Sequence, residues 1–153
     1  MPSHRESRVL PWEPAELFDL VADVESYPRF LPWVVATRVR ERTSTLLVAD
    51  MSVGFRAIRE TFTSRVTLDR PRAIHVDYVS GPLRHLTNDW RFSPADGGGT
   101  RVDFSVDFAF RSRLFERLAG AFFHEAFVRM VRAFEARARV LYGNRSLSAI
   151  RTA

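Results

Sequence analysis

The sequence predicts an α+β domain in which one curved antiparallel sheet packs against a long C-terminal helix. Three observations point to it. From Ser112 to Tyr142, Phe115, Leu118, Phe122, Ala126, Met130, Phe134, Ala138 and Leu141 recur at intervals of three and four with no proline. Between residues 33 and 110 the apolar period falls to two in one stretch after another. The breaks between those stretches have hairpin length, and hairpins join antiparallel neighbours. A helix of this length spans roughly 45 Å, so its stripe needs a large apolar partner, which a sheet supplies.

In chain order, residues 4–10 (HRESRVL) alternate enough for a polar strand at or near a sheet edge. Pro11 and Pro14 end it, and Pro14 suits the first turn of a helix over 14–24, with Leu17, Phe18, Val21 and Val24 on one face. SYPRFLPW follows, an aromatic loop with room for one helical turn between Pro28 and Pro32. Strands are predicted over 33–41, 45–53, 55–68, 73–80, 85–93 and 102–110. Trp33, Val35, Thr37 and Val39 share the inward face of the first, opposite Arg38 and Arg40. Thr43-Ser44, Gly54, Asp69-Arg70-Pro71, Gly81-Pro82 and PADGGG (94–99) supply the turns. Ser112 can cap the long helix and Gly143-Asn144 stop it. Residues 1–143 are read as a single domain and 144–153 as a mobile tail.

The 153 residues can bury a sizeable core without staples, and there is no cysteine to make a disulfide, a thiol nucleophile or a thiolate metal site. No apolar signal region opens the chain and nowhere do eighteen apolar residues run together, so a cytoplasmic protein is expected, with peripheral contact at the inner membrane. All 23 basic residues are Arg. Residues 111–153 carry nine Arg against three Glu, so the net charge of +5 is concentrated there. A basic helix face can meet phosphates or anionic lipid, or simply be a solvated surface.

Thirteen Phe, three Trp and three Tyr are a large supply for one sheet-helix layer. They can pack a solid core or line a concave apolar pocket. Val35, Phe62, Tyr78, Trp90 and Phe104 on inward strand positions, with Phe122 and Phe127 on the helix, are placed to line such a pocket. Glu60 shares parity with Ile58 and Phe62, and Arg137 sits on the apolar stripe between Phe134 and Leu141. Buried charges need partners, so these two either pair or flank a ligand head group; a β-bulge at Glu60 or snorkelling of the Arg137 stem are the alternatives. Asn88 is inward as well.

Catalytic signatures are missing. His4, His75, His85 and His124 have no partner at metal-ligand spacing, no Ser lies in a nucleophile elbow, and Gly97-Gly98-Gly99 lacks the Lys and helix of a phosphate loop. The sequence reads as a binder rather than an enzyme, with no metal, no cofactor and no DNA partner.

The runs LFDLVADVESYPRFLPW (17–33), RETFTSRV (59–66), GPLRHLTNDWRF (81–92), VDFSVDFAF (102–110) and MVRAFEARARVLYG (130–143) together resemble the coenzyme Q-binding START-like family. That group includes RatA-type ribosome-association toxins and polyketide cyclase/dehydrase-like proteins. The resemblance covers residues 3–143 and implies a helix-grip fold around a hydrophobic tunnel that accepts ubiquinone or a related polyprenyl lipid. It further implies that Leu31, Pro32 and Trp33 sit at the tunnel and that Gly81-Pro82-Leu83 forms a loop beside its opening. Val34 and Leu83 stand where many relatives carry Cys and Phe. Three functions follow as expectations: a lipid carrier serving quinone biosynthesis or a respiratory complex, a toxin that binds a ribosomal subunit, and a cyclase using Glu60 as base.

Overall fold

Strict alternation gives the sheet a strand with one deeply buried face. The computed structural model describes residues 3–55 and 58–145, with the backbone alone described at 55, 58, 114–116 and 118–124. Within it, strand β7 (Thr100–Phe110) buries Val102, Phe104, Val106, Phe108 and Phe110 on one face. Around it the other strands are β1 (Ser3–Leu10), β2 (Val34–Arg42), β3 (Leu46–Phe55), β4 (Ile58–Asp69), β5 (Ala73–Ser80) and β6 (Leu83–Pro94). The sheet is antiparallel, ordered β1-β7-β6-β5-β4-β3-β2, so β1 and β2 are its edges.

Helix α1 (Pro14–Ala22) opens on Pro14, as the missing proline N–H favours. It buries Leu17, Phe18, Leu20 and Val21. It ends at Ala22, two residues before the predicted end, and a 3₁₀ turn follows over Val24–Arg29. That turn precedes Pro32 and contains Pro28, correcting the expectation of a turn between the two prolines. Ser26 Oγ donates to Asp23 Oδ2 at 2.6 Å, and the Phe30 N–H to the Tyr27 carbonyl at 3.2 Å, which starts and closes it.

Helix α2 (Arg113–Tyr142) is the predicted long helix. Gly143, at φ +85°, stops it by donating its N–H to the Arg139 carbonyl at 2.9 Å. The C-terminal half runs along β1 in the same direction. His4 stacks on Phe127 at 5.5 Å, Arg8 meets Glu135 at 3.5 Å, and the Trp12 indole donates to the Gly143 carbonyl at 3.1 Å. Trp12 is 1% exposed, and the Thr100 hydroxyl donates to its carbonyl at 2.6 Å. The junction of β1, α1 and the end of α2 is therefore anchored by a residue the sequence pattern did not single out.

Of the expected tail, Asn144 and Arg145 are described. Arg145 is held by a bidentate ion pair to Glu16, with Nη2–Oε2 at 3.1 Å. Residues 146–153 lie outside the described residues.

Candidate functional site

Where α1, α2 and the β1-β7-β6 side of the sheet converge, their apolar faces leave a narrow cleft. Most of its atom-free space is continuous with open solvent, and only about 30 Å³ admits the centre of a water molecule. Leu17, Leu20 and Val21 of α1 form one wall, Val131 and Phe134 of α2 another, and Trp90, Phe92, Val102, Phe104 and Leu10 the floor. Trp90 packs edge-on at 4.7 Å from Phe104 and 5.3 Å from Phe134, and stacks on Phe92 at 6.2 Å. Trp90 is fixed in turn. Its indole N–H donates to Asn88 Oδ1 at 3.0 Å, and Asn88 Nδ2 donates to the Ser105 carbonyl at 2.9 Å. The inward Asn88 is thus satisfied as buried amides must be.

The rim of the cleft is polar and comes from the inner face of β1, which carries His4, Glu6, Arg8 and Leu10 at alternate positions. Arg8 Nε donates to Glu6 Oε2 at 2.6 Å, and its Nη1 lies 3.5 Å from Glu135 Oε2. Arg139 Nη2 donates to the other Glu135 oxygen at 2.9 Å, and His4 Nε2 lies 3.3 Å from Glu6 Oε1. Sequence reasoning missed this chain of charges. An edge strand with inward charges was the available signal, but only the register with β7 reveals that they overhang a cleft.

Of the residues predicted to line a pocket, Trp90 and Phe104 do so here. Phe127 packs beside them, 6.0 Å from Phe104. Leu31 is buried in the same continuous core, next to the 3₁₀ turn. Phe62, Tyr78 and Leu83 gather instead around the β5-β6 hairpin. The Tyr78 hydroxyl accepts the Leu83 N–H at 2.9 Å, and Gly81, at φ +142°, lies so close to Phe62 that an added Cβ would stand 2.7 Å from the Phe62 Cβ. Trp33 is half-buried and Pro32 exposed. The Phe122 side chain lies outside the described residues.

Two expectations are corrected. Val35 is 48% exposed, because a β-bulge between Val34 and Ala36 shifts the parity of β2 and turns Val34 inward in its place. Glu60 keeps its parity opposite Val53 but is exposed, and among the described residues it makes no ion pair with Arg137. Arg137 lies elsewhere, with its guanidinium carbon 5.5 Å from the centre of the Phe30 ring. Its Nε is buried without a hydrogen-bond partner among the described residues, and the guanidinium lies against the aromatic face rather than snorkelling to water.

His75 is bound by two carboxylates. On the outer sheet face its Nδ1 lies 2.6 Å from Asp89 Oδ1 and its Nε2 3.0 Å from Asp77 Oδ1. Residues 75 and 77 share a face at period two, and the β5-β6 register sets Asp89 opposite. The Asp89 hydrogen bond above all, with Asp77 adding to it against desolvation, raises the His75 pKa. Burial pushes the Tyr27 hydroxyl up, and Asp23 adds to this; its proton is donated to the Val21 carbonyl. Among the described residues no group of three His, Asp or Glu is arranged to hold a metal, and no helix is long and apolar enough to cross a membrane.

Residues 10–135 match the family described as polyketide cyclase / dehydrase and lipid transport. The chain is 34% identical over 145 residues to ribosome association toxin RatA of Escherichia coli (strain K12), covering 95% of this chain and 92% of that one. It is 34% identical over 148 residues to the mitochondrial coenzyme Q-binding protein COQ10 homolog B of Xenopus laevis, covering 94% of this chain and 61% of that one. An 18 kDa protein of Caulobacter crescentus, solved in solution, superposes with a TM-score of 0.76 at 38% identity, covering 94% of this chain and all of that one. The Zhui aromatase/cyclase of Streptomyces sp. R1128 superposes with a TM-score of 0.80 at 20% identity, covering 91% and 95%, a likeness of fold alone. A seven-stranded sheet gripping a C-terminal helix, together with matches that span most of the chain, makes this protein a member of the polyketide cyclase / dehydrase and lipid transport family, with a START-like helix-grip fold.

Proposed function

We propose that the protein is a non-catalytic binder of a polyprenyl lipid, with ubiquinone as the ligand, serving quinone biosynthesis or respiratory electron transport. The observation that carries the reading is the cleft itself: an apolar floor and apolar walls, with charge only at the rim. Burying isoprene units there gains about 25 cal/mol per Å² of apolar surface removed from water, so affinity needs no chemistry. The likeness to a coenzyme Q-binding protein supports the choice of ligand. Arg113, Arg117 and Arg132, exposed on α2, suit transient contact with an anionic membrane surface. Solvent extraction and native mass spectrometry of protein purified from its own host test the reading. A co-purifying quinone supports it, and protein that carries no lipid and takes none up from quinone-loaded vesicles refutes it.

A second reading is favoured by the likeness to RatA over nearly the whole of both chains. In it the same exposed arginines contact ribosomal RNA phosphates. Co-sedimentation with ribosomal subunits at low and high salt separates the two. The cyclase reading is weaker, because Glu60, the base expected for it, is not among the residues lining the cleft, while Glu6 and Glu135 there are each bound by an arginine.

A further inference from the structure

The rim of the cleft already holds a carboxylate between two guanidinium groups. Glu135 is gripped from the sheet by Arg8 Nη1 at 3.5 Å and from its own helix by Arg139 Nη2 at 2.9 Å. Arg8 spends its Nε on Glu6, and its Nη2 makes no hydrogen bond among the described residues. Directly beneath lie Leu10, Val102, Phe104, Val131 and Phe134, with no polar side chain on the cleft floor. A site with a bound carboxylate at its mouth and an apolar slot behind it matches one kind of molecule: a single alkyl chain ending in a carboxylate.

We propose that this lateral cleft between β1 and α2 binds a long-chain carboxylate of the fatty-acid class. The chain enters between Phe134 and the β1-β7 floor, and the head group displaces Glu135 from Arg8. The Arg8–Glu135 pair is then a latch, closed over the narrow cleft when it is empty and opened by a ligand that offers Arg8 an equivalent oxygen. Charge-assisted hydrogen bonds of this type are strong and directional, and Arg8 is partly exposed, so it can reach an incoming head group. The proposal rests on the lipid-binding reading only in taking an apolar chain as occupant; the head group is its own.

The test uses a bromine-labelled long-chain fatty acid, whose bromine quenches tryptophan at contact. Trp90 is the tryptophan that lines the cleft, so wild-type protein is quenched on titration and Trp90→Phe largely is not. Arg8→Met weakens binding roughly tenfold, the loss of one charge-assisted hydrogen bond. Glu135→Gln tightens it several-fold by removing the competing carboxylate. Opposite signs for two residues of one ion pair cannot come from destabilisation, which would weaken binding in both. Parallel weakening in both variants, or quenching that survives Trp90→Phe, overturns the proposal. Wild-type protein that ignores the fatty acid but takes up a short-chain quinone also overturns it while leaving the quinone reading intact.

Discussion

Gly81 is the residue whose identity the backbone dictates most directly. Its φ of +142° disfavours any side chain, and a Cβ would meet the Phe62 Cβ at 2.7 Å and its Cα at 3.0 Å. Gly81→Ala is expected to lower stability by about 1–3 kcal/mol, read as a shift in the urea midpoint with unchanged slope. Two tryptophans should part company in the same assay. Trp12 is fully buried with its indole N–H bonded across 131 residues, so Trp12→Ala should cost about 3–5 kcal/mol. Trp33 is half-buried in a turn, so Trp33→Ala should cost clearly less. Equal losses at the two positions would show that Trp33 is as much a core residue as Trp12. Glu60 and Arg137 do not meet, so thermal unfolding of Glu60→Gln, Arg137→Met and the double variant should give additive losses within about 0.5 kcal/mol.

Among the elements, the β5-β6 pair carries a pH dependence. The folded-state pKa of His75 lies above its ordinary value of 6.5, raised mainly by Asp89. Protonated His75 therefore contributes stability in full below about pH 6.5, and the contribution is lost as pH rises through the raised folded value. Both partners are substantially exposed, which limits the effect to less than about 1 kcal/mol. Urea midpoints of wild type and Asp89→Asn should converge at alkaline pH and separate at mildly acidic pH; a constant gap across that range would remove His75 as the cause. The β1 edge of the sheet is governed differently. On β1 the inward charges are partnered through α2, so the strand is at once a protected edge and one side of the cleft.

For the whole molecule, the distribution of charge separates the readings of function. Arg113, Arg117 and Arg132 are exposed on α2 without an acidic partner among the described residues, whereas Arg129 and Arg139 are bound by Glu125 and Glu135. Changing the first three to Gln should weaken salt-sensitive binding to anionic liposomes, at about 1 kcal/mol per arginine. Lipid uptake from detergent should be unaffected. If liposome binding persists and ribosome co-sedimentation is lost, the arginines serve RNA rather than membrane.

The sequence alone determined the strands, the long helix and its stop at Gly143, because alternation at period two and recurrence at three and four are local properties of the chain. It also determined the inward positions of Trp90 and Phe104, which line the cleft. What it did not determine hangs on register and distance. One extra residue in β2 exchanged Val35 for Val34, and the antiparallel pairing of β5 with β6 gave His75 its Asp89. Parity put Glu60 and Arg137 on facing surfaces, yet parity says which face a side chain takes and nothing of how far along the sheet it stands. The polar rim joins residues 6 and 8 to residue 135. Only the packing of α2 along β1 brings them together, since a contact between opposite ends of a chain leaves no periodic mark in either segment.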